Sequence, residues 1–260
     1  MSKISLQMYT LRDYTKTPAA LDRTLGRLVE IGYRVIQPRI PEGMTTGAFR
    51  DLLRAHGMRA DSCMGDIDSP NPDIEKIARD AEILGTTMVR GVGMPYDESR
   101  TLEGMRRYAA LLNERGRLLR RYGLTYLYHF HAYEYTNYDG INGMDILVDE
   151  TDPDAIHFQP DVHWMAAAGV EPSAGLWKFR GRAEYIHLQG YAIIPTPGVR
   201  EPVARKVCPV GQGNLNWTGI IDTARKIGVT LYVVEMDDCL NDPFDDVRTS
   251  FEYLRRMGIE

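Results

Sequence analysis

Apolar residues recur along this chain at two alternating periods. Stretches with apolar positions three and four apart have the spacing of a helix face turned toward a core. Each is followed by a short, nearly continuous apolar run, as expected of parallel strands buried on both faces. The first helix opens at Thr17-Pro18, a capping residue and a first-turn proline, and turns Leu21, Leu25, Leu28 and Val29 inward. The second is predicted over Thr46 to His56, with Phe49, Leu52 and Leu53 inward. The third opens at Asn71-Pro72 and carries Ile74, Ile77, Ala81 and Leu84; the fourth runs from Leu102 to Tyr122. Shorter helices are expected over Met144 to Glu150 and Ala174 to Phe179, and the last two over Thr218 to Ile227 and Phe244 to Met257. Glycines at 32, 57, 85, 123, 181, 228 and 258 stand where helices should end, a place that favours the left-handed conformation.

Eight strands are expected between the helices: Ile4 to Tyr9, Val35 to Pro38, Arg59 to Met64, Thr87 to Val92, Thr125 to Phe130, Ile156 to Pro160, Glu184 to Gln189 and Thr230 to Met236. Eight strand-helix alternations in 260 residues predict an α/β protein of the (β/α)8 TIM-barrel type, one domain spanning 1–260. An open doubly wound sheet fits less well, and no GxGxxG follows the first strand to support a dinucleotide fold. No Pro/Gly/Ser-rich linker suggests a second domain. The proline-bearing stretch from Tyr191 to Gly213 is expected to be an extended loop over the active face.

Composition narrows the partners. Hydrophobic residues make up 43% and charged residues 26%, the balance of an ordinary globular protein. A net charge of -5 argues against nucleic acid, whose binding needs a basic stripe. Arg106, Arg107, Arg115, Arg117, Arg120 and Arg121 fall in helical sequence and read as a solvated face. Cys63, Cys208 and Cys239 are odd in number, far apart and without a CxxC pair, which disfavours a disulfide framework or structural zinc. The N-terminus lacks a signal-peptide pattern and no apolar run approaches the ~20 residues of a membrane span. The expectation is a cytoplasmic protein without membrane partners; homo-oligomerisation is left open.

In such a barrel, functional groups sit where strands end. The last four strands end in polar, metal-friendly residues: His129 and His131 with Glu134 after the fifth, Asp161 and His163 after the sixth, His187 in the seventh, Glu235 and Asp237 after the eighth. A lone His or Asp there is more often a hydrogen-bonding or capping residue than a ligand. A carboxylate or imidazole at four successive strand ends instead gathers ligands around one quadrant of the mouth. The mixed O/N set suits one divalent ion, Mn2+, Zn2+, Co2+, Fe2+ or Mg2+, better than an all-oxygen calcium cage. His129 and His131, two apart, face the same way in an extended strand.

Other residues carry weaker signals. His157, at the start of its strand, reads as structural, and His56 as a residue favoured by a helix C-terminus. Gln7 or Tyr9 could contact a sugar hydroxyl and Arg12 an anionic group, although ordinary loop polarity explains them equally well. Trp164 and Trp217 are candidate pocket walls, with core packing the equal alternative for Trp217. Gly211-Gln212-Gly213 reads as a tight turn.

At these residues the chain resembles the sugar phosphate isomerase/epimerase family, the xylose-isomerase-like barrels, over nearly its whole length. The run from Leu6 to Asp13 (LQMYTLRD) looks like that family's opening strand, and Tyr128 to Tyr135 (YHFHAYEY) is similar to its YHNHxFEF stretch. Asp161 to Trp164 with Ala168-Gly169, His187-Leu188, Gly211 to Gly213 with Asn216-Trp217, and Val234 to Asp237 follow in the family's order. The resemblance implies one divalent metal held by His129 or Glu134, then Asp161, His187 and Glu235, with Glu134 slightly favoured over His129. The chain departs from the pattern at Phe130, at Gln37 in place of Glu, at Gln189-Gly190 in place of Lys-Asp, and at Gln212 and Asn216 in place of acidic residues. These changes point to an altered substrate pocket.

The implied function is a metal-dependent isomerase or epimerase of a sugar or keto sugar. It would remove a proton next to a carbonyl through a metal-stabilised enediolate. Glu235 is the expected first base and His131 or Glu134 the group on the opposite face. A lyase or dehydratase acting on a related keto sugar or inositol derivative is the neighbouring outcome. A non-catalytic sugar-binding barrel is the alternative from another class; a phosphoesterase acting on DNA is disfavoured by the charge.

Overall fold

Strand β1 (Ile4–Gln7) is hydrogen-bonded in parallel to β2 (Val35–Gln37) on one side and to β13 (Leu231–Val234) on the other, so the first and last barrel strands meet. The computed structural model describes residues 2–260 except 92, 96, 98–100, 196, 199–202 and 240. Its parallel order continues from β2 to β3 (Arg59–Ala60), and from β4 (Cys63–Met64) through β5 (Met88–Arg90) and β6 (Thr125–His129) to β9 (Ile156–Gln159). β10 (Tyr185–Leu188) pairs with β13. The gap between β9 and β10 is closed by a parallel bridge from Asp161 to His187, whose N–H donates to Pro160 O at 2.8 Å. With β3 and β4 taken as one interrupted strand and the Asp161–His187 bridge joining β9 to β10, each barrel strand has a neighbour on either side, and the TIM barrel is closed.

The third barrel strand is in two pieces. Arg59 to Met64 was expected as one run, but Asp61 and Ser62 interrupt it: β3 pairs back to β2 and β4 forward to β5. Buried Asp61 is turned to the barrel interior, where its carboxylate accepts from Ser5 Oγ at 2.6 Å and Ser62 Oγ at 2.7 Å. Burial raises its pKa to about 6, against the opposing effect of the two serines.

Alternation along the strands divides the core into layers. Ile4 and Leu6 of β1 belong to the main apolar cluster, with Leu21, Leu25 and Leu28 of α1 (Pro18–Ile31). Val35, Leu231 and Val233 form a separate small cluster with Tyr185. Gln7, Gln37 and Gln159, at the C-terminal ends of β1, β2 and β9, are all buried and joined side chain to side chain.

The helices follow the expected stripes: α2 (Thr46–Ala55), α3 (Ile74–Leu84), α4 (Leu102–Arg120) and α5 (Gly143–Glu150), then α8 (Trp217–Ile227) and α9 (Pro243–Arg256). Gly85 and Gly228 end α3 and α8 in left-handed conformations that satisfy the last carbonyls.

Several boundaries differ from the sequence expectation. β1 stops at Gln7 and the chain tightens into a 3-10 helix, Met8–Tyr14. α3 is capped by Asp73, which accepts from Lys76 N at 2.8 Å, so it starts later than Asn71. Ala174 to Phe179 is split between α7 (Pro172–Gly175) and a 3-10 turn, Leu176–Phe179. A short helix not expected from sequence, α6 (Val162–Ala167), follows β9. A two-residue ladder, β7 (Asn137–Tyr138) with β8 (Ile141–Asn142), precedes α5. Val92, the expected end of the fourth strand, lies outside the described residues.

The stretch from Tyr191 to Gly213 is not simply an extended loop. β11 (Gly190–Pro195) and β12 (Val203–Cys208) pair antiparallel over six residue pairs. Gly211-Gln212-Gly213 is the tight turn after it, with positive φ at both glycines. Among the described residues, no helix is long and apolar enough to cross a membrane. All three cysteines are free.

Candidate metal centre

His129, Asp161, His187 and Glu235 are all buried, and one ligand atom from each lies within 4.8 Å of the others. Each arrives at the end of a different parallel strand. His129 closes β6, opposite Gln159 of β9. Asp161 caps α6: one oxygen, Oδ1, accepts from His163 N at 2.8 Å and Trp164 N at 3.1 Å, which fixes the carboxylate and leaves Oδ2 toward the group. His187 lies within β10, and Glu235 directly follows β13.

The tautomer of His187 follows from a chain of amides. Gln7 Oε1 accepts from the backbone N–H of Tyr9 at 3.2 Å, so Gln7 Nε2 is the end that donates to Gln37 Oε1, at 2.7 Å. Gln37 Oε1 is therefore an acceptor, and His187 Nε2, 2.7 Å away, donates to it. Gln37 Nε2 donates onward to Gln159 Oε1 at 3.2 Å. The free lone pair of His187 is then on Nδ1, which stands 2.6 Å from Glu235 Oε2 and 3.7 Å from Asp161 Oδ2.

This arrangement is electrostatically incomplete by itself. His187 Nδ1, Glu235 Oε2 and His129 Nδ1 are buried without a hydrogen-bond partner, a costly state for polar atoms. Burial lowers the pKa of His187 well below the ordinary value, with the charge of Arg90 adding to it. Burial likewise lowers His129, helped by His187. Both rings are held neutral. Burial also raises Asp161 well above the carboxylate range, with the Glu235 charge adding to it. Two neutral imidazoles and two carboxylates converging on one point form a donor set that a divalent cation would satisfy.

A cavity of about 330 Å3 opens over the group, small for a ligand pocket. Glu235, His129, His131 and Asp237 line one part of it; Gln7, Tyr9, Arg39, Met64 and Arg90 line the rest. His131 stacks on Tyr133 and meets Trp164 edge-on, at ring-centroid distances of 5.4 and 5.3 Å. Burial lowers the pKa of His131 and keeps its ring neutral. Asp237 is held by its own N–H, which donates to Gln189 Oε1 at 2.9 Å.

The sequence-predicted residues thus divide. Gln7, Tyr9, His129, His131 and Glu235 face one cavity, with Asp161 and His187 beneath it and Trp164 at its side. Glu134 stands apart from the four-residue group. Its carboxylate accepts from Tyr128 Oη at 2.8 Å and from the backbone N–H of His131 at 2.9 Å. Burial raises its pKa to about 7. Glu134 therefore braces the turn that carries His131. Arg12 also lies away from this cavity, its guanidinium stacked 4.5 Å from the Tyr9 ring centroid and donating to Tyr9 O.

The other histidines are occupied elsewhere. His163 is buried with Nδ1 2.9 Å from Gly190 O, His157 contacts Glu184 at 2.7 Å, and His56 caps α2 beside Asp22. Trp217 is buried in the core, its indole N–H donating to Gln212 O. Arg39, Met64 and Arg90 were not anticipated from sequence. The strand-end rule reaches Arg90 once β5 is seen to stop there.

Comparisons with known proteins identify the fold and the family. The xylose isomerase-like TIM barrel family profile matches residues 25–257. No curated protein matches the sequence. Among solved structures, the chain is similar to a sugar phosphate isomerase/epimerase from Parabacteroides distasonis, with 18% identity and a TM-score of 0.77, covering 98% of this chain and 96% of that one. It is similar to a xylose isomerase-like TIM barrel protein from Mycobacterium smegmatis in complex with magnesium: 17% identity, TM-score 0.71, covering 98% and 96%. It is also similar to a probable 3-DHS dehydratase from Bacillus anthracis: 16% identity, TM-score 0.67, covering 97% and 98%. At these identities the structural likenesses establish the shared fold.

Proposed function

The chain belongs to the xylose isomerase-like TIM barrel family, and from that premise we propose that it is a divalent-metal-dependent isomerase or epimerase of a sugar or keto sugar. The observation that carries this reading is the approach of His187 Nδ1 to Glu235 Oε2 at 2.6 Å, with both atoms buried and neither having a hydrogen-bond partner. His129, Asp161, His187 and Glu235 would hold the ion.

A cation bound there would supply Lewis-acid polarisation of a substrate carbonyl. The chain's own residues do the rest. Glu235 lines the cavity as well as the quartet, so its carboxylate can take a proton from the carbon next to that carbonyl. His131, neutral and on the same cavity wall, is the group that returns or receives a proton. Glu134 holds His131 in place through the backbone N–H. Gln7 and Tyr9 line the same cavity and would meet substrate hydroxyls. Where a leaving group stands beta to the carbonyl, the same proton removal ends in elimination, the dehydratase outcome.

The test is solvent exchange. Keto sugars are incubated in D2O with the Mn2+-supplemented protein and analysed by NMR. The expected result is deuterium at the carbon next to the carbonyl, lost with a chelator and lost in Glu235→Gln while circular dichroism stays native. The product distinguishes isomerisation from elimination. Normal exchange by Glu235→Gln would remove that residue from the mechanism.

A further inference from the structure

Arg90 ends β5 at the cavity and is 8% exposed. Among the described residues its guanidinium has almost nothing to bond. Nη2 lies 3.2 Å from Met64 Sδ, a weak acceptor, and Nε is buried without a partner. It forms no ion pair with a described residue, although Glu235 and Asp61 are near enough to act on it electrostatically. A guanidinium stays charged in proteins, and a buried charge without a partner is unfavourable. Such a fork of donors, aimed into a cavity, is complementary to a planar oxyanion.

The charge balance of the cavity points the same way. Asp161 and Glu235 would neutralise a divalent ion. Of the remaining groups that line the cavity, Asp237 is negative and both Arg90 and Arg39 are positive, an excess of one positive charge in the lining, with Asp61 and Asp68 acting on Arg90 from outside it. Arg39 is exposed at the rim, its guanidinium 5.7 Å from the Tyr9 ring centroid. The ligand that closes this balance carries about one negative charge.

We propose that the substrate is a sugar acid whose carboxylate is bound by Arg90, with Arg39 at the entrance. The proposal rests on the metal-centre reading above and narrows it: the carbonyl end faces Glu235 and the carboxylate end faces β5. A phosphate would bring a second negative charge into a small cavity that already holds Glu235 and Asp237.

The test compares three ligands that differ at one carbon: glucose, glucuronate and glucose 6-phosphate. Affinities are measured by calorimetry on the metal-supplemented protein, on Arg90→Met and on Arg90→Lys, with metal content determined on each sample. The expected result is glucuronate bound about tenfold or more tightly than glucose, the scale of one charge-assisted contact, and more tightly than glucose 6-phosphate. Arg90→Met should erase that preference, and Arg90→Lys should keep part of it. Equal affinities, tightest binding of glucose 6-phosphate, no binding of any of the three, or a preference that survives in Arg90→Met would overturn the proposal. Should Arg90→Met fail to fold, an unchanged preference in Arg90→Lys together with an unchanged salt dependence also overturns it. A sample with one metal per chain and no carboxylate preference refutes this proposal alone; one with neither refutes the metal centre as well.

Discussion

His187 donates from Nε2 to Gln37 Oε1 across the barrel, over 2.7 Å between β10 and β2, and this one bond leaves Nδ1 as the atom that faces the carboxylates. The direction is set by Gln7, which is itself set by a backbone N–H. A partner that fixes the tautomer of a metal-binding histidine usually contributes substantially to affinity.

Gln37→Met should therefore lower divalent-metal affinity by about 10- to 100-fold. The loss arises because the methionine cannot accept from Nε2–H. Gln37→Glu keeps an acceptor there and should retain most of the affinity. Calorimetric titration with Mn2+ or Zn2+ checks both. Equal affinity in Gln37→Met and the parent protein would mean that the amide chain does not orient the ring.

The ligand from the fifth barrel strand is separable by substitution. His129→Gln should lose most of the metal affinity, because its ring belongs to the quartet, tilted against that of His187 with centroids 4.5 Å apart. Glu134→Gln should bind metal nearly as well as the parent, since its carboxylate is engaged by Tyr128 and His131 N. Its defect should instead appear in exchange activity, through a misplaced His131. The reverse pattern of affinities would put Glu134 on the ion.

Much of this was readable from sequence, for reasons that particular residues show. The (β/α)8 order is legible because helix stripes such as Leu21, Leu25 and Leu28 alternate with buried strands such as Tyr185–Leu188. The quartet is legible because strand ends in a barrel converge, whatever the intervening helices. The choice between His129 and Glu134 is not legible. It depends on the 3-10 turn Tyr133–Tyr135, which folds Glu134 onto Tyr128. Arg90 is hidden because one arginine inside an apolar run carries no periodic signal. The β11–β12 hairpin is hidden because Pro195 interrupts a strand pattern, and the break at Asp61 because an inward-facing carboxylate alternates like any polar residue.

Asp61 gives a stability prediction. Its carboxyl is raised from an ordinary 3.8 to about 6, chiefly by burial. The folded state therefore binds this proton more tightly than the unfolded chain. The contribution is fully present below about pH 4 and is lost as pH rises through about 6. Asp61→Asn removes this dependence. Relative to the parent, the variant should gain about 2 kcal/mol between pH 4 and pH 7. Urea unfolding at both pH values measures it, and a pH-independent difference between the two proteins would contradict the assignment.

If His129, Asp161, His187 and Glu235 hold one divalent ion, that ion should accompany the purified protein. The protein is purified without chelator or affinity metal and analysed by inductively coupled plasma mass spectrometry, alongside His187→Ala. The expected result is about one Mn2+, Zn2+, Co2+, Fe2+ or Mg2+ per chain, and little or none in the variant. No metal in the parent protein, together with no thermal shift on adding Mn2+, Co2+ or Zn2+, would contradict it.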